Sequence, residues 1–243
     1  MNFFNYFFRN VPEKSNFVSF GKIHILILIV AFLISYLIIK TMHVNRTFEL
    51  FVGIVLLTQQ IILYSWYFIG NYNSLTEGLP LYHCRVAILS LAIGLIFKID
   101  LLQNIGAYWG IFGSISALFI VGGDPFVFPH ITQFSYFIGH LFLLWGVVYL
   151  LFVKKIGMTN KDFKDILMFT TIFHMVVFVI DRKLSANYSY LIDPPFTINY
   201  NFNPYFYAFI VIMVFNFVLG IEYLLINSKL LNKSEVLGSS ISL

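Results

Sequence analysis

The chain has 243 residues, 59% of them hydrophobic and 11% charged, with a mean hydropathy of +0.85, whereas soluble domains carry about a quarter charged residues. A soluble globular domain is therefore excluded, and the single cysteine excludes both an internal disulfide and a zinc site built from paired cysteines. The net charge of +4 comes without any basic cluster interleaved with exposed aromatics, so it reads as loop lysines that set membrane topology, with no nucleic acid as partner.

The first residues, "MNFFNYFFRNVPEKSNFVSF", mix Phe and Tyr with Arg9 and Lys14. Residues 1–22 are expected to lie in the membrane interface. The first apolar run follows this polar stretch and has no small-residue cleavage site behind it, so it is not expected to be a removable signal. A crossing helix needs about 20 largely apolar residues. By that measure seven spans are expected, running Ile23 to Lys40, Glu49 to Gly70, Leu79 to Phe97, Leu101 to Val121, Ile131 to Val153, Phe163 to Ile180 and Tyr205 to Ile226. They make a transmembrane domain over 23–228, followed by a polar tail over 229–243. Only Lys98 to Asp100 separates the third span from the fourth, which leaves a re-entrant pair as an alternative there. The fold class expected is all-α, a polytopic membrane helical bundle of about seven transmembrane helices.

Cytoplasmic loops retain Lys and Arg. One side of the expected topology holds Lys40, Arg46, Lys98, Lys154, Lys155, Lys161, Lys164, Lys229 and Lys233; the other holds Arg9, Lys14, Lys22, Arg182 and Lys183. Nine against five places the amino terminus outside and the carboxyl terminus in the cytoplasm of a multi-pass cell-membrane protein. In either orientation "NYNSLTEGLPLYHCR", "GGDPFVFPH" and "DRKLSANYSYLIDPPFTINYNFNP" share one face, so a site assembled from them would sit there.

Ionisable groups within spans are costly and mark functional candidates. Here they are Cys84, Arg85, His140 and His174, with Asp124 and Asp181 at the boundary. At about 1.5 Å per residue, Cys84, His140 and His174 fall roughly 7 to 14 Å below one face and could meet. A thiol and an imidazole in contact form a nucleophile and base pair able to make a thioester. Arg85 could depress the thiol pKa or hold a phosphate, and either aspartate could orient an imidazole or balance Arg85. Gly122 and Gly123 before Asp124 and Pro125 make a turn, and Pro194 and Pro195 should leave "NYSYLIDPP" as an extended cap with its aromatics pointing down, which could shield a reactive pocket from water or simply close the bundle.

Each candidate also has a plainer role. A lone cysteine packs as a small hydrophobe, His174 can serve as an interhelical hydrogen-bond donor, and Arg85 can snorkel to the interface. His24, His43 and His130 read as interfacial residues, and Glu222 as the partner of a nearby lysine.

The succession "LPLYHC", "GDPFVFPHITQFSYFIGH" and "LSANYSYLIDPP" resembles the YwaF-type bacterial membrane proteins, which are similar to a mammalian transmembrane acyltransferase that makes ether phospholipids. The resemblance covers Leu79 to the last helix. It implies a cysteine nucleophile at Cys84 and a histidine base at His140, acting within the membrane on phospholipid acyl donors and acceptors, without metal or other cofactor. Such relatives often read leucine between a histidine and the cysteine, whereas here His83 directly adjoins Cys84. Adjacent helical residues point about 100° apart, so His140 is kept as the base. Arg85, Asp124, His174, Asp181, Asn187 and Tyr188 complete the set expected to bind substrate. Two rival readings are a transporter or ligand-binding membrane protein using the same polar cluster, and a metal site of Cys84, His140 and His174.

Overall fold

The computed structural model describes residues 2–13, 17–122, 124–195 and 203–239, with side chains as far as residue 227. Lys14, Gly123, residues 196–202 and the side chains of Lys229 and Lys233 lie outside the described residues. The elements are α1 (Phe3–Phe7), α2 (Lys22–Thr41), α3 (Arg46–Ile69), α4 (His83–Phe97), α5 (Asp100–Phe119), α6 (Ile131–Val148) continued by a π turn (Tyr149–Lys154), α7 (Asn160–Leu184), a 3-10 turn (Tyr188–Tyr190) and α8 (Pro204–Ser239). No strand occurs among the described residues. The chain is an all-α, polytopic membrane bundle.

Five helices are long and apolar enough to cross a bilayer: Lys22–Thr41, Arg46–Ile69, Ile131–Lys154, Asn160–Leu184 and Pro204–Asn227. The other two expected spans form the α4–α5 hairpin, turned at Lys98 in the left-handed conformation (φ 58°). α4 begins at His83, four residues later than the span read from Leu79, and has only 15 residues. α5 buries Gln103, Asn104 and Ser114, which lowers its hydropathy. Both helices pack chiefly against protein, so neither needs the length or the uniform apolarity that lipid imposes.

Small residues let this hairpin close. A Cβ at Gly106 of α5 would lie 2.7 Å from the backbone nitrogen and Cα of Leu91 on α4, and one at Gly94 would lie 2.7 Å from the backbone nitrogen of Gln103. Close backbone approach is how helices gain dispersion contacts where lipid is as apolar as the side chains. Leu56, Leu91, Leu95, Tyr108, Trp109, Leu143 and Val147, all buried, fill the space among α3, α4, α5 and α6.

At one end of the bundle Arg46 donates to the carbonyls of Leu95 and Ile96, the last turn of α4. The buried Glu49 accepts from Arg46 (3.2 Å) and from Lys154 (3.0 Å), and Lys154 also reaches Gln103 Oε1 at 3.1 Å. The start of α3, the end of α4, the start of α5 and the end of the α6 π turn are thus fixed together. Glu222, expected to pair with a lysine, makes no ion pair among the described residues, and its Oε2 has no hydrogen-bond partner.

At the other end residues 2–13 dock on the loops. Arg9 donates to the carbonyls of Tyr6, Val127 and Pro129 and pairs with Glu13 at 2.8 Å. Trp66 Nε1 donates to the Phe8 carbonyl (3.0 Å). His24 and His130, expected at the interface, are completely buried instead. The reason is that each closes a backbone gap: His24 bridges the Phe20 amide and the Leu118 carbonyl, and His130 caps α6. His130 Nε2–H donates to the Arg9 carbonyl at 2.9 Å while Nδ1 accepts from the Thr132 amide at 3.3 Å. α8 runs on past the apolar stretch into the polar residues read as a tail.

Two outcomes follow. Gly106→Ala should lower stability by about 1–3 kcal/mol, because the new methyl meets α4 backbone and the helices must part; thermal unfolding in detergent reads this. Burial holds the His130 imidazole down at about 4, below its ordinary value near 6.5. The unfolded chain therefore binds the extra proton first, and stability present above pH ~6.5 should be lost as pH falls toward ~4. His130→Asn, which keeps a capping acceptor, should flatten that slope in melts across the same range.

Candidate active site

α4 holds the key to the site. Its last turn is level with the start of α3, and it has 15 residues against 24 in α3. At about 1.5 Å per residue its amino end therefore stops roughly 13 Å short of the far end of α3. Cys84, the second residue of α4, is thus recessed within the bundle although it lies in a first helical turn. His140, the tenth residue of α6, is about 13 Å below the start of that helix.

Both residues line one cavity of about 480 Å³. Gln60 and Leu63 of α3, Ile88 of α4, and Thr132, Ser135 and Tyr136 of α6 form its deeper wall, and Glu77, Tyr82, Gly122, Asp124 and Tyr190 come from the loops on one face. Cys84 is half-buried and free. His140 is buried, with Nδ1 2.7 Å from the Tyr136 carbonyl. A carbonyl only accepts, so Nδ1 carries the hydrogen, and in the neutral ring Nε2 is left with its lone pair. Among the described residues that Nε2 has no hydrogen-bond partner. The carbonyl of the residue four earlier thus selects the tautomer, as a carboxylate does for the histidine of a catalytic triad.

Arg85 does not extend to bulk water. It donates to the carbonyls of Glu77 and Leu79 and to Tyr67 Oη (3.0 Å), with the Tyr82 and Tyr67 rings 4.9 and 5.0 Å from its guanidinium carbon. Tyr67 Oη in turn donates to Asp124 at 3.2 Å, which links the one cation to the one carboxylate of the loop after α5. Burial pushes the Asp124 carboxyl above the usual carboxylate range, and the Arg85 charge opposes that shift. The result is a hydrogen-bonded rim beside the thiol that holds Arg85, Asp124 and Glu77. Gln60 adds a buried acceptor, Oε1, with no partner among the described residues.

The remaining expected residues stand apart. His174 does not line the cavity: it stacks in a buried aromatic column with His83 (5.6 Å), Trp109 (5.9 Å) and Phe215 (4.8 Å). His83 faces the same column, 4.1 Å from Trp109, so the adjacent imidazole turns away from the cavity that Cys84 lines. Among the described residues no group of three or more His, Cys, Asp or Glu is placed to hold a metal ion, and the trio Cys84, His140 and His174 is not assembled. Asp181, Asn187 and Tyr188 build the loop instead. Asp181 Oδ1 accepts from the Tyr188 amide (2.9 Å), Asn187 Oδ1 accepts from the amides of Ile192 and Asp193, and Tyr188 Oη joins the Leu75 carbonyl to the Leu79 amide. This loop is a tight turn with Ser189 and Tyr190 in the left-handed region, not the extended cap expected. The turn buries Tyr188 and leaves Tyr190 on the cavity.

Tyr136, Gln60, Tyr67, Tyr82, Glu77 and Tyr190 were missed by the sequence reading. Tyr136 carried a usable signal, since it lies one helical turn before His140. So did Gln60, an uncharged amide beside Gln59 in an apolar span.

Among known proteins, the chain matches the model of the TMEM164 family over residues 13–221. No curated protein and no solved structure matches it. The matched stretch contains α3, α4, α6 and the loops that together enclose the cavity. By that match over most of its length, this multi-pass membrane chain belongs to the TMEM164 family.

Proposed function

We propose that the chain is a membrane acyltransferase that moves acyl groups between lipids through a thioester on Cys84. His140 Nε2 takes the thiol proton, the thiolate attacks the ester carbonyl, and the tetrahedral intermediate expels the lipid alkoxide, which takes the proton back from His140. A second lipid hydroxyl then gives its proton to Nε2, attacks the thioester and releases the thiolate. Every proton returns and no oxidant or metal is consumed. Arg85, which lines the same cavity, steadies the oxyanion or a headgroup phosphate in this reading. With water as acceptor the same steps give lipid hydrolysis.

The observation that carries this reading is a shared cavity in which a free thiol and a tautomer-fixed, unpartnered imidazole nitrogen are the reactive groups. It is further supported by the resemblance of "LPLYHC" and "GDPFVFPHITQFSYFIGH" to the YwaF-type proteins, which are themselves similar to an ether-phospholipid acyltransferase. The site opens toward the face carrying fewer lysines and arginines, which is the outer face in the orientation with a cytoplasmic carboxyl terminus.

Detergent-solubilised protein treated with a lipid-like electrophile should be labelled at Cys84, as read by mass spectrometry. Cys84→Ala should abolish labelling and lipid turnover, and His140→Ala should slow turnover by about 10²–10⁴-fold. An unlabelled Cys84 together with unchanged turnover in both variants would defeat the proposal.

A further inference from the structure

Between the start of α2 and α6 lies a groove of about 740 Å³, walled by Ile23, Ile27, Phe134, Phe137 and Ile138, with Phe128 above them. Its walls are apolar except for Lys22 and Gln133. Ile23 and Phe128 are 72% and 61% exposed, so the groove is open on the outer surface of the bundle, where lipid lies. A recess of about 220 Å³ adjoins it and shares Phe17, Gln133 and Phe137 with the groove. The same recess shares Asp124, Thr132 and Tyr136 with the cavity that holds Cys84 and His140. Tyr136, whose backbone carbonyl orients His140, is therefore also the partition between the recess and the reacting groups. Its hydroxyl is tied to the Ala117 carbonyl at 2.7 Å, which fixes the ring as a wall.

We infer that this groove seats the acyl chain of a membrane glycerolipid ester, whose ester end passes the recess beside Tyr136 to reach Cys84. The inference rests on the acyl-transfer reading. Two features select this occupant. The groove is apolar and of ligand size, and it shares lining residues with the recess, which in turn shares lining residues with the thiol cavity.

The test places the protein in phosphatidylcholine nanodiscs with a trace of phosphatidylcholine bearing a diazirine near the methyl end of its acyl chain. Photolysis and peptide mapping should place the label on residues 22–27 and 133–138. Ile27→Trp and Ile138→Trp, which fill the groove, should reduce that label. They should also lower Cys84 acylation by long-chain relative to short-chain esters by about tenfold or more. Alkylation of Cys84 by iodoacetamide should be unchanged in both variants, which separates a filled groove from a misfolded chain. Label spread evenly over the lipid-facing sides of α2, α7 and α8 would overturn the inference. So would a labelled groove whose filling leaves the chain-length ratio unaltered, the behaviour of a boundary lipid. Should Cys84 accept no acyl group from any ester, the acyl-transfer reading fails on its own, while the label map still scores the groove as a chain seat.

Discussion

Arg46 bonds the last carbonyls of α4, and Glu49 draws Arg46 and Lys154 to the same point, so one end of α4 is held level with the membrane-spanning α3. Because α4 has only 15 residues, its other end cannot reach the opposite face. The space left above it is what the loops after α3 and α5 fold down to fill. A cavity with polar walls inside an apolar bundle follows from that difference in length more than from any single side chain. Isolated buried charges are unfavourable, and the Glu49 cluster is tolerable because each charge is hydrogen-bonded as well as paired.

Polar atoms within the bundle fall into two groups. Most are satisfied locally: Thr170 and Ser35 bond back to carbonyls one turn earlier, Trp109 Nε1 meets Thr170, and Ser135 meets Gln59. A few are not. His140 Nε2 and Gln60 Oε1 have no partner among the described residues, and both side chains line the cavity that holds Cys84. Buried unpartnered atoms are uncommon and ask for a cause. A cavity that receives polar reactant atoms gives one. His83 Nδ1 and His174 Nε2 are also unpartnered, but they sit in an aromatic stack that fills its own space.

The outer loops are held from two directions. Residues 2–13 grip the loop after α5 through Arg9 and His130, and the turn at Tyr188 grips the loop before α4 through Tyr188 Oη and Ser189 Oγ. Asp124 of the loop after α5 and Arg85 in the first turn of α4 meet through Tyr67. This rim is tied together by hydrogen bonds where it touches the thiol cavity, and the groove between α2 and α6 lies to one side of it.

The sequence by itself determined the class of fold, because 59% hydrophobic residues arranged in runs of about 20 leave helices as the only way to satisfy the backbone in lipid. It also supplied the short list of candidate groups, since a thiol and an imidazole inside apolar runs stand out against their surroundings. It did not determine which imidazole faces the thiol. Spacing along the chain fixes height and azimuth on one helix, but the packing of α4 against α3, α5 and α6 sets which azimuth meets which. Tertiary structure alone turned His83 and His174 into an aromatic column, made Asp181, Asn187 and Tyr188 loop struts, and gave Tyr136 its place as both the orienter of His140 and a wall of the cavity. Those choices depend on contacts between residues far apart in the chain, such as Gly106 with Leu91 and Arg46 with Leu95, and no local pattern encodes them.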